Sequence, residues 1–349
     1  MIGIVYDESF LMHKPPRQHV ENPERVLAIM SALNPLRPII DGPVRGALDW
    51  VRRVHDEFYV ETIEGACGQG PMFIDADTYV SPRTCEAAVN AVGAVIRGVD
   101  RVLSGEWDSA YAVVRPPGHH AGFSGRALMA PTQGFCIFNN VAVGARYALE
   151  RGVRKVLILD IDVHHGNGTQ EIFYSNPRVL YISLHQDPLT LYPGTGFIHE
   201  VGEGEGAGFN VNIPLPPGTG DDAYIEALDT VVWPITEQFK PDLIMVSLGF
   251  DAHMLERIAS LRLTLNTYRE LFTKLRNLIG RVRGVVYVLE GGYNYDVLAR
   301  GSELLVRTME GREVEVGEEP SETEPTVLAR VRKNLEEVRE MLRDYWNLA

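Results

Sequence analysis

The feature that most constrains this chain is where its unusual residues fall. Four short apolar runs, Ala110–Val114, Val156–Ile161, Leu243–Leu248 and Val285–Leu289, each end in a polar segment. Those segments are Arg115-Pro-Pro-Gly-His-His-Ala, Asp160-Ile-Asp-Val-His-His-Gly-Asn-Gly, Gly249-Phe-Asp-Ala-His and Glu290-Gly-Gly-Tyr-Asn. The runs are mostly apolar throughout rather than alternating, as expected of strands covered on both faces. Ile2–Tyr6 and Val179–Leu184 read the same way. Helical patterns lie between them, over Pro82–Leu103, Asn140–Arg151, Asp221–Phe239 (with a kink at Pro234), Asn266–Ile279 and Tyr295–Met309. This alternation predicts an α/β fold, three layers α/β/α around a mostly parallel, doubly wound sheet. In such sheets ligands bind outside the carboxyl ends of the strands. The four polar segments therefore predict one site drawn from distant parts of the chain.

Length and composition fit that reading. The 349 residues are expected to form one domain, 1–349, with 45% apolar residues to fill its core. A charged amphipathic helix is expected over Val327–Tyr345, reached through an acidic, proline-containing tether, Glu313–Pro325. Gly202-Glu-Gly-Glu-Gly-Ala-Gly reads as a flexible surface loop. A net charge of −14 lacks the basic footprint of direct nucleic-acid binding and favours cationic partners such as lysine-rich peptides or polyamines. No stretch is long and apolar enough for a membrane span. The N-terminus lacks the pattern of a signal peptide, and three cysteines without CxxC spacing suit a reduced, cytoplasmic protein.

Particular residues then point to chemistry. Strand-like alternation turns Asp160, Asp162 and His164 the same way. Asp162 and His164 supply two ligands for zinc or a similar ion, and Asp251 is the candidate third; a catalytic zinc keeps its remaining position for water. The tandem His119-His120 offers a general base and acid, with Asp160 and Asn167 as orienting partners. The same histidines could instead be ligands or packed core residues. Tyr293, after two glycines, could donate to an oxyanion or simply pack in the turn. Phe135 and Tyr192 could wall a narrow channel or belong to the core. There is no G-x-S-x-G elbow and no phosphate-binding glycine loop.

Taken together with Gly134-Phe-Cys-Ile-Phe-Asn-Asn, Tyr181-Ile-Ser-Leu-His and Tyr192-Pro-Gly-Thr-Gly, these motifs resemble the histone deacetylase family. That family includes acetoin-utilisation-type proteins and acetylpolyamine amidohydrolases. The resemblance runs from Asn22-Pro-Glu-Arg to Tyr293 and implies an arginase-like three-layer fold. It implies catalytic Zn2+ on Asp162, His164 and Asp251, His120 as base and acid beside His119, and Tyr293 as oxyanion donor. Asp160 and Asn167 complete the catalytic set. Gly134, Phe135, Tyr192 and Ile258 would contact the acyl-lysine, and Arg25 would line an acetate-release cavity. A structural K+ would rest on Asp160, Asp162, His164, Ser183 and Leu184. Three departures stand out: Asn167 replaces a second Asp, which is class II-like; Tyr192 replaces a Phe; and Ala252-His-Met-Leu-Glu-Arg-Ile replaces an Asp-Pro-Leu ending. Ile258 falls where polyamine-specific relatives carry a Glu. The implied activity is removal of acetyl from acetyl-lysine or a related acetylated amine. An acetylpolyamine or small-metabolite hydrolase, or a silent acetyl-lysine binder, is compatible with the same residues, as is an oligomer.

Overall fold

The computed structural model describes residues 1–348, so Ala349, the end of the expected domain, lies outside the described residues. Eight strands form one sheet: β1 (Ile2–Val5), β2 (Ile39–Asp41), β3 (Ser109–Ala112), β4 (Val156–Asp160), β5 (Val179–Gln186), β6 (Asn210–Leu215), β7 (Leu243–Leu248) and β8 (Val285–Leu289). Their spatial order is β6-β5-β4-β7-β8-β3-β1-β2, and every neighbouring pair is parallel.

That order explains why the four polar segments converge. They follow β3, β4, β7 and β8, which are the four adjacent strands at the centre of the sheet. Helices cover both faces. Leu157 and Leu159 of β4 pack into the layer that holds helices Glu24–Leu33, Leu265–Leu278, Tyr295–Met309 and Pro325–Leu342. Val156 and Ile158 of the same strand pack into the layer of Glu57–Gln69, Thr84–Leu103 and Asn140–Glu150. Burial on both faces is what made these strands apolar at nearly every position. Each such side chain contributes about 1.5–3 kcal/mol. Among the described residues no helix is long and apolar enough to cross a membrane.

Several expectations need correction. At Pro234, where a kink is expected, the helix is interrupted by a π-turn, Leu228–Val232, in which Trp233 N–H reaches back to Leu228 O. Proline cannot donate to the preceding turn, and the widened turn absorbs the missing bond. Segment Glu313–Pro325 is fastened rather than a tether. Glu318 accepts from Leu265 N at 2.8 Å and pairs with His253 and Arg300, while Ser321 N donates to Asp221. The Gly202–Gly208 loop is folded against the body: a Cβ on Gly206 would meet Tyr174 O at 2.5 Å. Cys67 and Cys85 form a disulfide between two helices, and only Cys136 is free, which the cysteine spacing did not reveal.

Candidate active site

β4 stops at Asp160, so alternation along a strand does not carry Asp160, Asp162 and His164 to one side as the sequence implied. The chain bends instead, with carboxylates catching the backbone two residues on. Asp160 Oδ1 accepts from Asp162 N at 3.2 Å, and Asp162 Oδ1 accepts from His164 N at 2.9 Å. Such Asx turns are a local alternative to strand pairing. The bend brings Asp162, His164 and Asp251 together, each offering a ligand atom within 4.8 Å of the others. Backbone N–H groups of other loops and turns hold the carboxylates: Gly291 N donates to Asp162 Oδ2 at 2.7 Å, so that both Asp162 oxygens accept a backbone N–H, and Val163 N donates to Asp251 Oδ1 at 3.0 Å. Asp162 Oδ1 and Asp251 Oδ2 turn to His164 Nδ1, at 2.9 Å and 3.3 Å. Asp251 Oδ2 is buried without a hydrogen bond of its own, and burial beside Asp162 pushes its carboxyl up to about 6. Two buried carboxylates aimed at one imidazole, with an oxygen left over, are a donor set that fits a divalent cation.

The two histidines are held differently. Asn167 Nδ2 donates to Ala127 O at 2.9 Å, so its Oδ1 faces His120 Nδ1 at 2.7 Å. That contact requires the proton on Nδ1 and leaves Nε2 as the basic nitrogen. His119 Nδ1 meets Asp160 Oδ2 at 3.0 Å, which also accepts from Tyr181. Burial opposes charge on both rings. At His119 the carboxylates of Asp160, Asp162 and Glu290 overcome it and raise the pKa to about 10. At His120 the neighbouring His119 and His164 add to burial, and the pKa falls well below the usual imidazole range. The pair thus sets a charged ring beside a neutral one.

A cavity of about 210 Å³ opens over these groups. His119, His120, Asp162, His164 and Tyr293 line it, and so do the expected wall residues Gly134, Phe135, Tyr192 and Ile258. Gly134 (φ 56°) and Phe135 (φ 69°) are both left-handed. A Cβ at Gly134 would meet His120 Cδ2 at 2.5 Å, so only glycine lets the loop approach. Phe135 stands edge-on to Tyr293, with ring centroids 5.9 Å apart. The Tyr192 ring flanks His120 at 5.0 Å, but its hydroxyl donates outward to Thr132 O at 2.9 Å. Arg25 does not line this cavity. It is fully buried, donates to Glu290 O, Gly292 O and Glu21, and stacks over the Tyr293 ring at 4.8 Å.

Ser183, at the back of the Asp160 bend, is informative in another way. His185 Nε2 faces Gly196 O at 2.9 Å and must donate, so His185 Nδ1 accepts from Ser183 Oγ at 2.8 Å. The buried serine oxygen therefore has its proton spent and its lone pairs free, which suits a cation held by oxygens.

Sequence reasoning passed over three buried groups. Glu290 accepts from Gly118 N at 2.8 Å and His119 N at 3.2 Å, joining the loop after β8 to the loop after β3; burial pushes its carboxyl up to about 7. Its position directly after an all-apolar strand was the available signal. Glu21 and Arg115 pair at 2.5 Å with no exposure, and Glu21 also holds Arg25. Nothing local marks Glu21 as buried, because Arg115 and Tyr79, which close over it, come from remote segments.

Comparison with known proteins agrees with this geometry. The family model for the histone deacetylase domain matches residues 19–309. A probable deacetylase of Archaeoglobus fulgidus is 37% identical over 99% of this chain and 98% of its own length. The histone deacetylase-like amidohydrolase of Pseudomonas aeruginosa is 39% identical over 79% of this chain and 73% of its own. The crystal structure of the HDA15 HD domain superposes with a TM-score of 0.87 at 32% identity, covering 99% of this chain and 96% of that one.

Proposed function

Since the chain belongs to the histone deacetylase family, we propose that it is a zinc-dependent amidohydrolase that removes acetyl from acetyl-lysine or a related acetylated amine and releases acetate. The observation that carries this reading is the Asp162–His164–Asp251 group, with its buried, unpartnered carboxylate oxygen, at a cavity also lined by His119, His120 and Tyr293.

Asp162, His164 and Asp251 would hold the zinc, which supplies Lewis acidity toward the acetyl carbonyl and lowers the pKa of its water. His120 is the proton carrier. Its Nε2 is unprotonated because Nδ1 is committed to Asn167, so it takes a proton from the attacking water and returns one to the leaving amine. His119, tied to Asp160, keeps a positive ring beside it and stabilises negative charge as it develops. Tyr293 donates to the oxyanion forming on the acetyl oxygen. Gly134, Phe135, Tyr192 and Ile258 confine the acyl-lysine stem and exclude water. Asp160, Asp162, Ser183 and the carbonyls of His164 and Leu184 would take a potassium ion that stiffens the bend carrying the zinc ligands.

The test is acetate release from acetyl-lysine peptides and acetylated polyamines by the parent and by Tyr293→Phe. The variant is expected to lose about 10²–10³ in kcat at saturating substrate with zinc content unchanged. Activity within about twofold of the parent would mean that the phenol only packs in its turn.

A further inference from the structure

We infer that Glu256 is a positioning residue that fixes Tyr293 for catalysis by clamping the peptide on which its phenol hangs. Glu256 lies in the loop after β7, between Asp251 and Ile258, and reaches across to the loop after β8. Its Oε1 accepts from Tyr293 N at 2.7 Å and from Asn294 N at 2.8 Å. On the other side of the same peptide, Gly292 O accepts from Arg25 Nε at 2.6 Å. One peptide group, Gly292–Tyr293, is therefore gripped by a cation at its oxygen and an anion at its N–H. That peptide needs gripping. Gly292 sits at φ 110° and follows Gly291, so the backbone before Tyr293 has the freedom of two glycines. Rotation of this peptide swings the Cα–Cβ bond of Tyr293 and with it the hydroxyl.

Helix capping does not account for Glu256. Helix Tyr295–Met309 already has Asn294 as its cap, with Oδ1 accepting from Asp296 N and Val297 N. Glu256 takes the two N–H groups that precede the helix. Its own turn is fixed in place: Glu256 N donates to His253 O at 2.9 Å, and Leu255 N donates to His253 Nδ1 at 3.2 Å. Asn294 Nδ2 also reaches Leu255 O, at 3.4 Å. The loop that carries a candidate metal ligand thereby also sets the candidate oxyanion donor, so the two are held in register.

The inference rests on the oxyanion role proposed above, and the experiment separates the two. Glu256→Ala and Glu256→Gln are made in the zinc-loaded protein and in its Tyr293→Phe variant, and assayed on an acetyl-lysine peptide. Glu256→Ala is expected to lower kcat by on the order of 10- to 100-fold with KM little changed, the scale of a small misplacement of a reacting group. Glu256→Gln keeps a carbonyl acceptor and is expected to stay within about threefold of the parent. In the Tyr293→Phe background, Glu256→Ala is expected to add less than about twofold, because the group it positions is gone. Hydrogen exchange supplies a readout independent of turnover: the amides of Tyr293 and Asn294 should lose protection in Glu256→Ala and keep it in Glu256→Gln. Equal losses of kcat in both backgrounds, equal losses for Ala and Gln, or unchanged exchange would each overturn the inference. A Tyr293→Phe variant as active as the parent would overturn it too, and that result would show in the single variant as a failure of the oxyanion role itself. If Glu256→Ala does not fold, Glu256→Leu, which preserves the bulk of the half-buried stem, takes its place in the same cycle.

Discussion

At the floor of the cavity, Asp162, His164, Asp251 and Tyr293 each stand within a few residues of the end of a central strand. The wall residues Phe135, Tyr192 and Ile258 come from longer connections, whose shape is set by left-handed residues and side-chain ties such as Tyr192 to Thr132. At the floor, the carboxylates of Asp162 and Asp251 are fixed by the backbone N–H groups of Gly291 and Val163, two and three residues beyond the ends of β8 and β4. The wall groups depend on contacts between loops. The difference teaches that the groups proposed for chemistry stand close to strand ends, whereas those proposed to confine the substrate hang on longer loops. Substitution at the floor should remove the reaction, and substitution at the wall should retune it.

The largest effect expected short of removing the metal comes from His120→Ala. Loss of a general acid–base typically costs about 10²–10⁴ in rate. Zinc content should stay at the parent level, since Asp162, His164 and Asp251 are untouched; loss of zinc from the variant, measured by elemental analysis, would mean that His120 is a ligand and that the floor is assigned wrongly. A wall substitution, Ile258→Ala, should behave otherwise. Widening the mouth is expected to lower kcat/KM on the order of tenfold, carried by KM, with kcat nearly kept. Steady-state kinetics would break the comparison if kcat fell as far as in His120→Ala. The smallest effect is expected from Tyr192→Phe. It deletes one hydrogen bond, to Thr132 O, worth about 0.5–1.5 kcal/mol. A thermal melt should fall by roughly 1–2 °C, with kcat within about twofold of the parent. A collapse of activity would show that the hydroxyl faces the chemistry rather than the neighbouring loop.

The same contrast explains what could be read from the sequence. β4, β7 and β8 announce themselves because burial on both faces leaves nearly every position apolar, and the polar residues that follow are conspicuous by position. The edges of the sheet were not legible. β2 exposes Ile39 and Ile40, and β6 carries two asparagines and Pro214, which an edge strand tolerates because its outer side needs no ladder donor. Asn334 caps Pro214 O from the C-terminal helix, a contact that no local pattern encodes. In the site, the candidate reacting groups were legible, and so were Asp160 and Asn167, which pair with the two histidines, whereas the carboxylates that tie the loops together were not. Glu290, Glu21 and Glu256 reach groups more than thirty residues away, at Gly118, Arg115 and Tyr293, and no local periodicity marks those pairings. The bend at Asp160–His164 was placed correctly for the wrong local reason, because alternation ends where the Asx turns begin.

The central claim is that one zinc on Asp162, His164 and Asp251 supports deacetylation. The most direct measurement is to strip the protein with a chelator, titrate zinc back, and follow acetate release from an acetyl-lysine peptide. The stripped protein should be inactive, and the rate should rise linearly and break at about one equivalent of zinc per chain, as a three-ligand catalytic site with one open position requires. A rate that survives chelation, or a break at two equivalents, would contradict it.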